Sequence, residues 1–385
     1  MSLQIEFLDE NPLSTLVPVH TLRPDEVCIF VDKSRQHLKN HRFMEESLKA
    51  WKNQLKITDK FLDITSLEDI ERSIEEIVHK HLNDKIYMDI TGGPELMTAA
   101  GLKIAFKYDK VIPVYLNPKS NCLIDIQKKE KNVPCVPISL DDYALAIGAE
   151  RIHTIDDDIS NEKKTSICSM SEILMKDYVK WNILSNYIGG HYLPDVDYVD
   201  IPNTVTVGNK NFRVAEMLNA FIRFHYLETP AHFRYRFASE EARHWIEKAG
   251  TWLEMYIYFK AKETFGNAYT SVEFDWNSAD NKTSPDNEID VITMKKSHPI
   301  FISCKMCRLR KEFVYEISAV AKRFGNSNAI PIIATTYKLT NSQQDLEIEN
   351  RLKSMKVGLI YAPDFYESGK TASEIFNTAI NSVAE

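Results

Sequence analysis

The sequence predicts an α/β protein built from three regions, and three observations carry that reading. Short apolar runs alternate with amphipathic helical stretches over the first 130 residues, a polar and acidic stretch interrupts the chain near 152–165, and a helix, β-meander, helix, strand order begins after Ser239. The predicted regions are therefore an N-terminal unit with a parallel, doubly wound sheet (1–150), a helical, winged-helix-like connector (151–238) and a self-contained C-terminal α/β unit (239–385). A length of 385 residues suits two or three domains at roughly 150 residues each.

In the N-terminal region, Val27 to Val31 is an apolar run followed by a helical stretch with Leu38, Phe43, Leu48 and Trp51. Phe61 to Ile64 reads as a second strand. Thr65-Ser66-Leu67-Glu68 reads as a capping box ahead of Ile70, Ile74, Ile77, Val78 and Leu82 at helical spacing. Lys85 to Ile90 is a third strand, Thr91-Gly92-Gly93 the turn after it, and Pro94 to Tyr108 a helix opened by proline. Val111 to Leu116 and Cys122 to Ile126 complete the set. Strands separated by helices imply a parallel sheet whose ligand sites lie at the carboxyl ends of the strands.

The connector reads as helices over Ser169 to Tyr187 and Arg213 to Tyr226, with Tyr198 to Val207 extended between them. Beyond it, one long helix (Glu240 to Glu263), a strand near Ser271 to Trp276, turn-rich residues Asn277 to Asn287, two strands either side of Lys295 to Pro299, a helix (Glu312 to Phe324) and a strand (Ala329 to Ala334) are expected.

Composition narrows the function classes. With 26% charged and 44% hydrophobic residues the chain is neither disordered nor of low complexity. No apolar run approaches the roughly 18 residues that cross a bilayer, and Met-Ser-Leu-Gln-Ile-Glu is no signal peptide, so a cytoplasmic protein without membrane partners is expected. Six scattered cysteines then stay reduced. The net charge of −8 argues against nucleic acid only until it is resolved by region. Between Val291 and Gly325 eight basic residues stand against two acidic ones, a strip suited to a polyanionic backbone.

The chemistry concentrates beside that strip. If the runs Asn287 to Ile292 and Ile300 to Lys305 form a hairpin turning about Lys296 and Ser297, Asp290 falls opposite Ser303, and Lys305 shares the face of Ser303. Glu254, in Gly250-Thr251-Trp252-Leu253-Glu254 on a helix, can reach the same spot. Two carboxylates and the main-chain carbonyl of Cys304 make an oxygen-rich site for Mg²⁺ or Mn²⁺. An ordinary solvated ion pair between Asp290 and Lys305 would leave unexplained the alternation of apolar and chemical residues on both strands. Cys304 and Cys307 form a C-x-x-C pair without further ligands in reach and read as buried thiols; His244 and His298 read as structural or exposed.

This pattern resembles the PD-(D/E)xK nuclease superfamily, with Ser303 where the second acid usually stands; Glu316 and Phe324-Gly325 add to the match. The resemblance implies a restriction-endonuclease-like fold, with Glu254 and Asp290 on the metal and Lys305 acting on the attacking water. Asp89-Ile90-Thr91-Gly92-Gly93-Pro94-Glu95-Leu96-Met97 resembles the glycine-turn motif of CARF domains, the Rossmann-like sensors of cyclic oligoadenylates. Together the two regions resemble CRISPR-associated accessory nucleases activated by cyclic tetra-adenylate. That resemblance implies a homodimer, a cyclic oligoadenylate between the two sensor units, and cleavage of single-stranded RNA and DNA or of duplex DNA. The expected ligand residues are Asp9, Asn11, Lys33, Thr91, Gly92, Gly93, Glu95 and Met97. Pro94 and Glu95 replace the motif's Thr and Lys, and Lys33, Arg35 or Lys103 are candidates for the missing cation. A catalytically inactive nucleotide sensor that binds nucleic acid is the rival reading, resting on Ser303.

Overall fold

The computed structural model describes residues 1–117, 120–128, 132–153, 159–192, 198–275, 288–325 and 328–384. The N-terminal sheet has seven strands in the order β3-β2-β1-β4-β5-β6-β7: β1 Ser2–Phe7, β2 Glu26–Asp32, β3 Lys56–Leu62, β4 Lys85–Asp89, β5 Val111–Asn117, β6 Cys122–Asp125 and β7 Asn132–Pro134. The first five in that order are parallel. The expected all-parallel sheet is corrected at its far edge, where β5, β6 and β7 pair antiparallel. The short connection from Asn117 to Cys122 permits only a hairpin, since a parallel crossover needs a dozen or more residues.

Helices α1 (Leu13–Leu22) and α2 (Arg35–Trp51) cover one face, packing Leu16, Val17, Met44 and Leu48 on Val27, Ile29 and Val31. On the other face, α3 (Leu67–Lys80) and α4 (Glu95–Lys107) bury Ile70, Ile74, Met97 and Ile104 against Leu3, Ile5, Cys28 and Phe30. Burial on both faces explains why β2 reads as an uninterrupted apolar run. The helix cap falls one residue later than expected: Ser66, not Thr65, accepts from the backbone of Asp69, at 3.3 Å.

After α5 (Leu140–Ala146), β8 (Glu150–His153) enters the second sheet, so the stretch expected to be a linker begins with a strand. The connector comprises α6 (Asn161–Lys176), α7 (Tyr178–His191), β9 (Val199–Asp200), β10 (Thr204–Val207), β11 (Lys210–Arg213), α8 (Ala215–Arg223), β12 (Leu227–Ala231) and β13 (Arg234–Phe237). β10 and β11 form a separate hairpin, and β12, β13 and β9 form a three-stranded sheet. One expected helix is divided at Asp177, whose carboxylate caps α7 by accepting from Lys180 N at 3.1 Å.

The C-terminal unit contains α9 (Glu240–Glu247), α10 (Thr251–Phe265), β14 (Tyr269–Asp275), β15 (Ile289–Lys295), β16 (His298–Lys305), α11 (Lys311–Gly325), β17 (Ile330–Thr335), α12 (Gln343–Ser354), β18 (Gly358–Tyr361), α13 (Asp364–Glu367) and α14 (Ala372–Ala384). Its sheet runs β18-β17-β16-β15-β14-β8. The expected turn-rich residues Asn277 to Asn287 lie outside the described residues. The single long helix expected over Glu240 to Glu263 is broken at Lys248 to Gly250, where the Trp245 and Trp252 rings pack edge to face at 4.9 Å. One core runs from the connector (Leu174, Trp181, Leu184) through α10 (Trp252, Tyr256) to one face of the second sheet (Val291, Ile302). Its other face, through Phe301 and Phe324, joins the core beneath α1 and α2. No helix among the described residues is long and apolar enough to cross a membrane.

Candidate active site

The β15–β16 hairpin sets the site. Its ladder pairs Lys295 with His298 and Val291 with Ile302, and Lys296 at the turn takes a φ of 59°. Continued one step, this register brings Asp290 to Ser303, and the side chains meet: Ser303 Oγ donates to Asp290 Oδ2 at 3.3 Å. Cys304 N donates to the same oxygen at 2.6 Å, and Lys305 Nζ lies 3.8 Å from it. In extended backbone the N–H and C=O of one residue point to the same side, so the Cys304 carbonyl faces the Asp290 strand as well. Lys305 also sits over the Phe313 ring at 5.2 Å, and its carbonyl accepts from Thr336 N at 3.3 Å.

Glu254 lies in the first turn of α10, electrostatically coupled to Asp290 and Lys305. Burial, then the charges of Asp290 and Glu288, push its carboxyl up to about 8, against the pull of Lys305 and Lys248. Asp290 is raised too, chiefly by burial, with Lys305 and the Cys304 N–H opposing. The structure thus brings Glu254, Asp290, Ser303 and Lys305 to one place. Ser303 serves there as a donor to Asp290 rather than as a second acid. Burial, then the charges of Asp290 and Glu254, push the Cys304 thiol well above its usual range. All six cysteines are free.

Two charges at this site were not singled out by sequence reasoning. Exposed Glu288 adds a third carboxylate, and exposed Lys248, at the break between α9 and α10, adds a second cation. The first lies just before β15, two residues from Asp290, a spacing that could have shown it; the second depends on a helix break that periodicity did not show.

The glycine turn lies at the carboxyl end of β4. Asp89 Oδ1 accepts from Thr91 N at 2.8 Å and from Thr91 Oγ1 at 2.5 Å, while Thr91 Oγ1 accepts from Leu116 N at 2.8 Å. Gly93 has a φ of 90°, and a Cβ there would stand 2.4 Å from Phe7 Cβ; one on Gly92 would meet Ser14 Oγ at 2.5 Å and Asp9 Cβ at 3.2 Å. The turn is thereby locked onto the loop after β1, where Asn11 Oδ1 caps Leu13 N at 3.0 Å. Lys33 stands at the end of β2, 3.5 Å from Asp63, and Glu95 is exposed at the start of α4. Met97, expected among the ligand residues, is 0% exposed, turned into the core by its place on the inner face of α4. Lys103 is likewise engaged, by Glu71 at 2.7 Å. A cavity of about 200 Å³ separates Asp9 and Glu10 from Arg323 and Gly325 at the end of α11, so the loop after β1 borders the C-terminal unit.

No family model and no curated protein matches the chain. Solved structures do. Protein VC1899 from Vibrio cholerae superposes with a TM-score of 0.81 at 14% identity over 99% of this chain and 98% of its own. Can2 from Sulfobacillus thermosulfidooxidans, solved in complex with cyclic tetra-adenylate, gives 0.72 at 17% identity over 99% and 100%. A type III CRISPR defence DNA nuclease activated by cyclic oligoadenylate gives 0.57 at 13% identity, over 86% of this chain but 45% of that one. These identities establish likeness of fold, and it extends from end to end: the chain has the α/β architecture of VC1899 and Can2.

Proposed function

We propose that the chain is a metal-dependent endonuclease regulated by a cyclic oligoadenylate, which binds at the Thr91-Gly92-Gly93 turn between two copies of the chain. The observation that carries this reading is the meeting of Glu254, Asp290 and Lys305 on a fold shared end to end with a cyclic tetra-adenylate-bound protein.

The donor set fits a hard divalent cation. Among the described residues no three His, Cys, Asp or Glu side chains form a ready metal cluster. Two half-buried carboxylates and one carbonyl, completed by water, suit Mg²⁺ or Mn²⁺. When bound, such a cation lowers the pKa of a water and offsets phosphate charge. Glu254, Asp290 and the Cys304 carbonyl would hold it. Ser303 Oγ and the Cys304 N–H fix the Asp290 carboxylate, and Lys305 Nζ is placed to orient the attacking water or neutralise the developing oxyanion. Burial keeps a proton on Glu254 at neutral pH, so cation uptake is coupled to proton release.

In the sensor unit, Thr91, Gly92 and Gly93 present backbone to an anion at the start of α4, with Asp9, Asn11 and Lys33 around them. Glu95 opposes phosphate there, so selectivity among cyclic oligoadenylates rests on the remaining contacts. Incubation with labelled single- and double-stranded substrates and Mn²⁺, with and without a panel of cyclic oligoadenylates, tests the reading. Cleavage that requires both metal and ligand is expected. Cleavage indifferent to ligand would make the N-terminal unit a dimerisation module only. The second reading, a non-catalytic sensor, is favoured by Ser303 and predicts binding without cleavage under every ligand.

A further inference from the structure

Resting on the nuclease reading, we propose that Arg308 and Arg310, on the segment that follows β16, hold the substrate phosphates next to the scissile one. The fold divides the basic strip of the sequence. β16 runs over eight residues, roughly 25 Å, and α11 returns beside it before the parallel strand β17. Lys296 at the hairpin turn and Lys322 in the last turn of α11 therefore lie at the end of the sheet away from Lys305. Arg308 and Arg310 stay at the catalytic end. Both are exposed, while Leu309 between them is buried in the core beneath α11. Asn182 Nδ2 on α7 anchors the same segment by donating to the Met306 carbonyl at 2.7 Å.

Contacts tie both arginines to Lys305. The Arg310 guanidinium lies 4.6 Å from the centre of the Phe313 ring, over which Lys305 Nζ sits at 5.2 Å, so one ring carries both cations. Arg310 has no carboxylate partner among the described residues. Arg308 lies over the Tyr337 ring at 5.7 Å, and Tyr337 follows Thr336, whose N–H binds the Lys305 carbonyl at 3.3 Å. Arg308 Nη2 also stands 3.4 Å from Asp345, yet the side chain remains 51% exposed. Asp345 itself is 2% exposed and accepts from Tyr337 Oη at 2.9 Å and Thr340 N at 3.0 Å. A buried carboxylate is costly unless it is paired, so this network holds Arg308 in one place instead of leaving it to swing. Asp345 on α12 and Phe313 on α11 belong to elements packed in one core, on the face of the sheet toward which Lys305 points. The three cations thus stand together on one side. Guanidinium groups bind phosphate oxygens through paired N–H donors without reading sequence. A backbone whose scissile phosphate lies at Lys305 meets the two arginines next.

The test is fluorescence anisotropy of a labelled oligonucleotide, in EDTA so that nothing is cut, across a salt series, with wild type and the R308A/R310A, R308K/R310K and K296A/K322A double variants. The same sequence is supplied as single-stranded DNA, single-stranded RNA and duplex DNA, to show which backbone the arginines take. In R308A/R310A, losing two phosphate contacts should weaken binding roughly tenfold and reduce the slope of log K against log salt by about 1.4 on a single strand or about 1.8 on a duplex. R308K/R310K should restore the slope but only part of the affinity, because the charge is kept and the planar fork is lost. K296A/K322A, an equal change of charge at the far end, should bind as wild type does. Unchanged affinity and slope in R308A/R310A, an equal loss in K296A/K322A, or a slope that lysine does not restore would overturn the proposal while leaving the nuclease reading intact. Mn²⁺-dependent hydrolysis of bis(para-nitrophenyl) phosphate, which has no second phosphate, is the companion measurement: a fall there as large as the loss of affinity would overturn the proposal by placing the effect at Lys305. Absence of both binding and small-ester hydrolysis in the wild type would overturn the nuclease reading itself.

Discussion

Two pairs of carboxylates are drawn in from solvent, Glu254 on α10 with Asp290 on β15 and Glu6 with Asp89 on the neighbouring strands β1 and β4, and they differ in one component. Glu254 and Asp290 face Lys305; Glu6 and Asp89, beneath the glycine turn, have no lysine or arginine paired with them among the described residues. Burial raises all four carboxyls, and the charge of Asp290 adds to the rise of Glu254 as that of Asp89 adds to the rise of Glu6: Glu254 reaches about 8 and Asp89 about 7, with Glu6 well above its ordinary range. In the first pair an ammonium, a hydroxyl and a backbone N–H hold the charge of Asp290 in place, at the spot where a divalent cation is proposed. In the second, Thr91 N and Oγ1 hold Asp89 Oδ1 and Gln4 Nε2 holds Glu6, so the pair anchors the glycine turn. Burial alone therefore marks no chemistry here; the lysine separates a site from a scaffold.

The largest expected break in that comparison is catalytic. Asp290→Ala or Lys305→Ala should each lower metal-dependent cleavage by about a thousandfold or more while thermal unfolding stays cooperative. Glu6→Gln should leave cleavage at saturating ligand and metal unchanged.

Stability against pH gives the next effect. Glu254 titrates near 8 in the fold against 4.5 normally, so between those values the native state holds a proton that the unfolded chain has released, and stability falls as pH rises. In EDTA at pH 8.5, Glu254→Gln should stabilise the protein by about 2–4 kcal/mol, an effect that vanishes near pH 4.5. Asp89→Asn should act in the same direction within the window from 3.8 to about 7, and by less, because Thr91 bonds favour the charged form. Melting curves at the two pH extremes check both.

Gly93→Ala should cost about 1–3 kcal/mol, because φ is 90° and the new Cβ would stand 2.4 Å from Phe7 Cβ; loss of ligand-stimulated cleavage should exceed any loss of basal cleavage. Tyr143→Phe removes a buried bond to the Phe324 carbonyl, 2.6 Å long, that ties α5 to the end of α11. Urea unfolding should show a loss of about 1–2 kcal/mol.

How much of this was legible follows the range of the forces involved. The β15–β16 register could be read from the turn at Lys296 and Ser297, because side chains alternate with period two and one slip would reverse the faces. The apolar run of β2 was legible for a similar reason. The breaks at Asp177 and at Lys248 to Gly250 were not: a side-chain cap and two tryptophan rings decide them, and helical periodicity continues across both. Lys248 entered the site through the second break. Met97 was named from its motif position, which carries no information on the phase of α4 that turns it into the core. The antiparallel edge at β6 and β7 follows from connection length, which apolar runs alone do not encode.

Manganese binding tests the central claim most directly. Isothermal titration in EDTA-stripped buffers of differing ionisation enthalpy should show Mn²⁺ binding with proton release at pH 7, abolished in Glu254→Gln and Asp290→Asn and retained in Glu6→Gln and Asp89→Asn. Binding that survives the first two substitutions, or that is lost with the second two, would contradict the account.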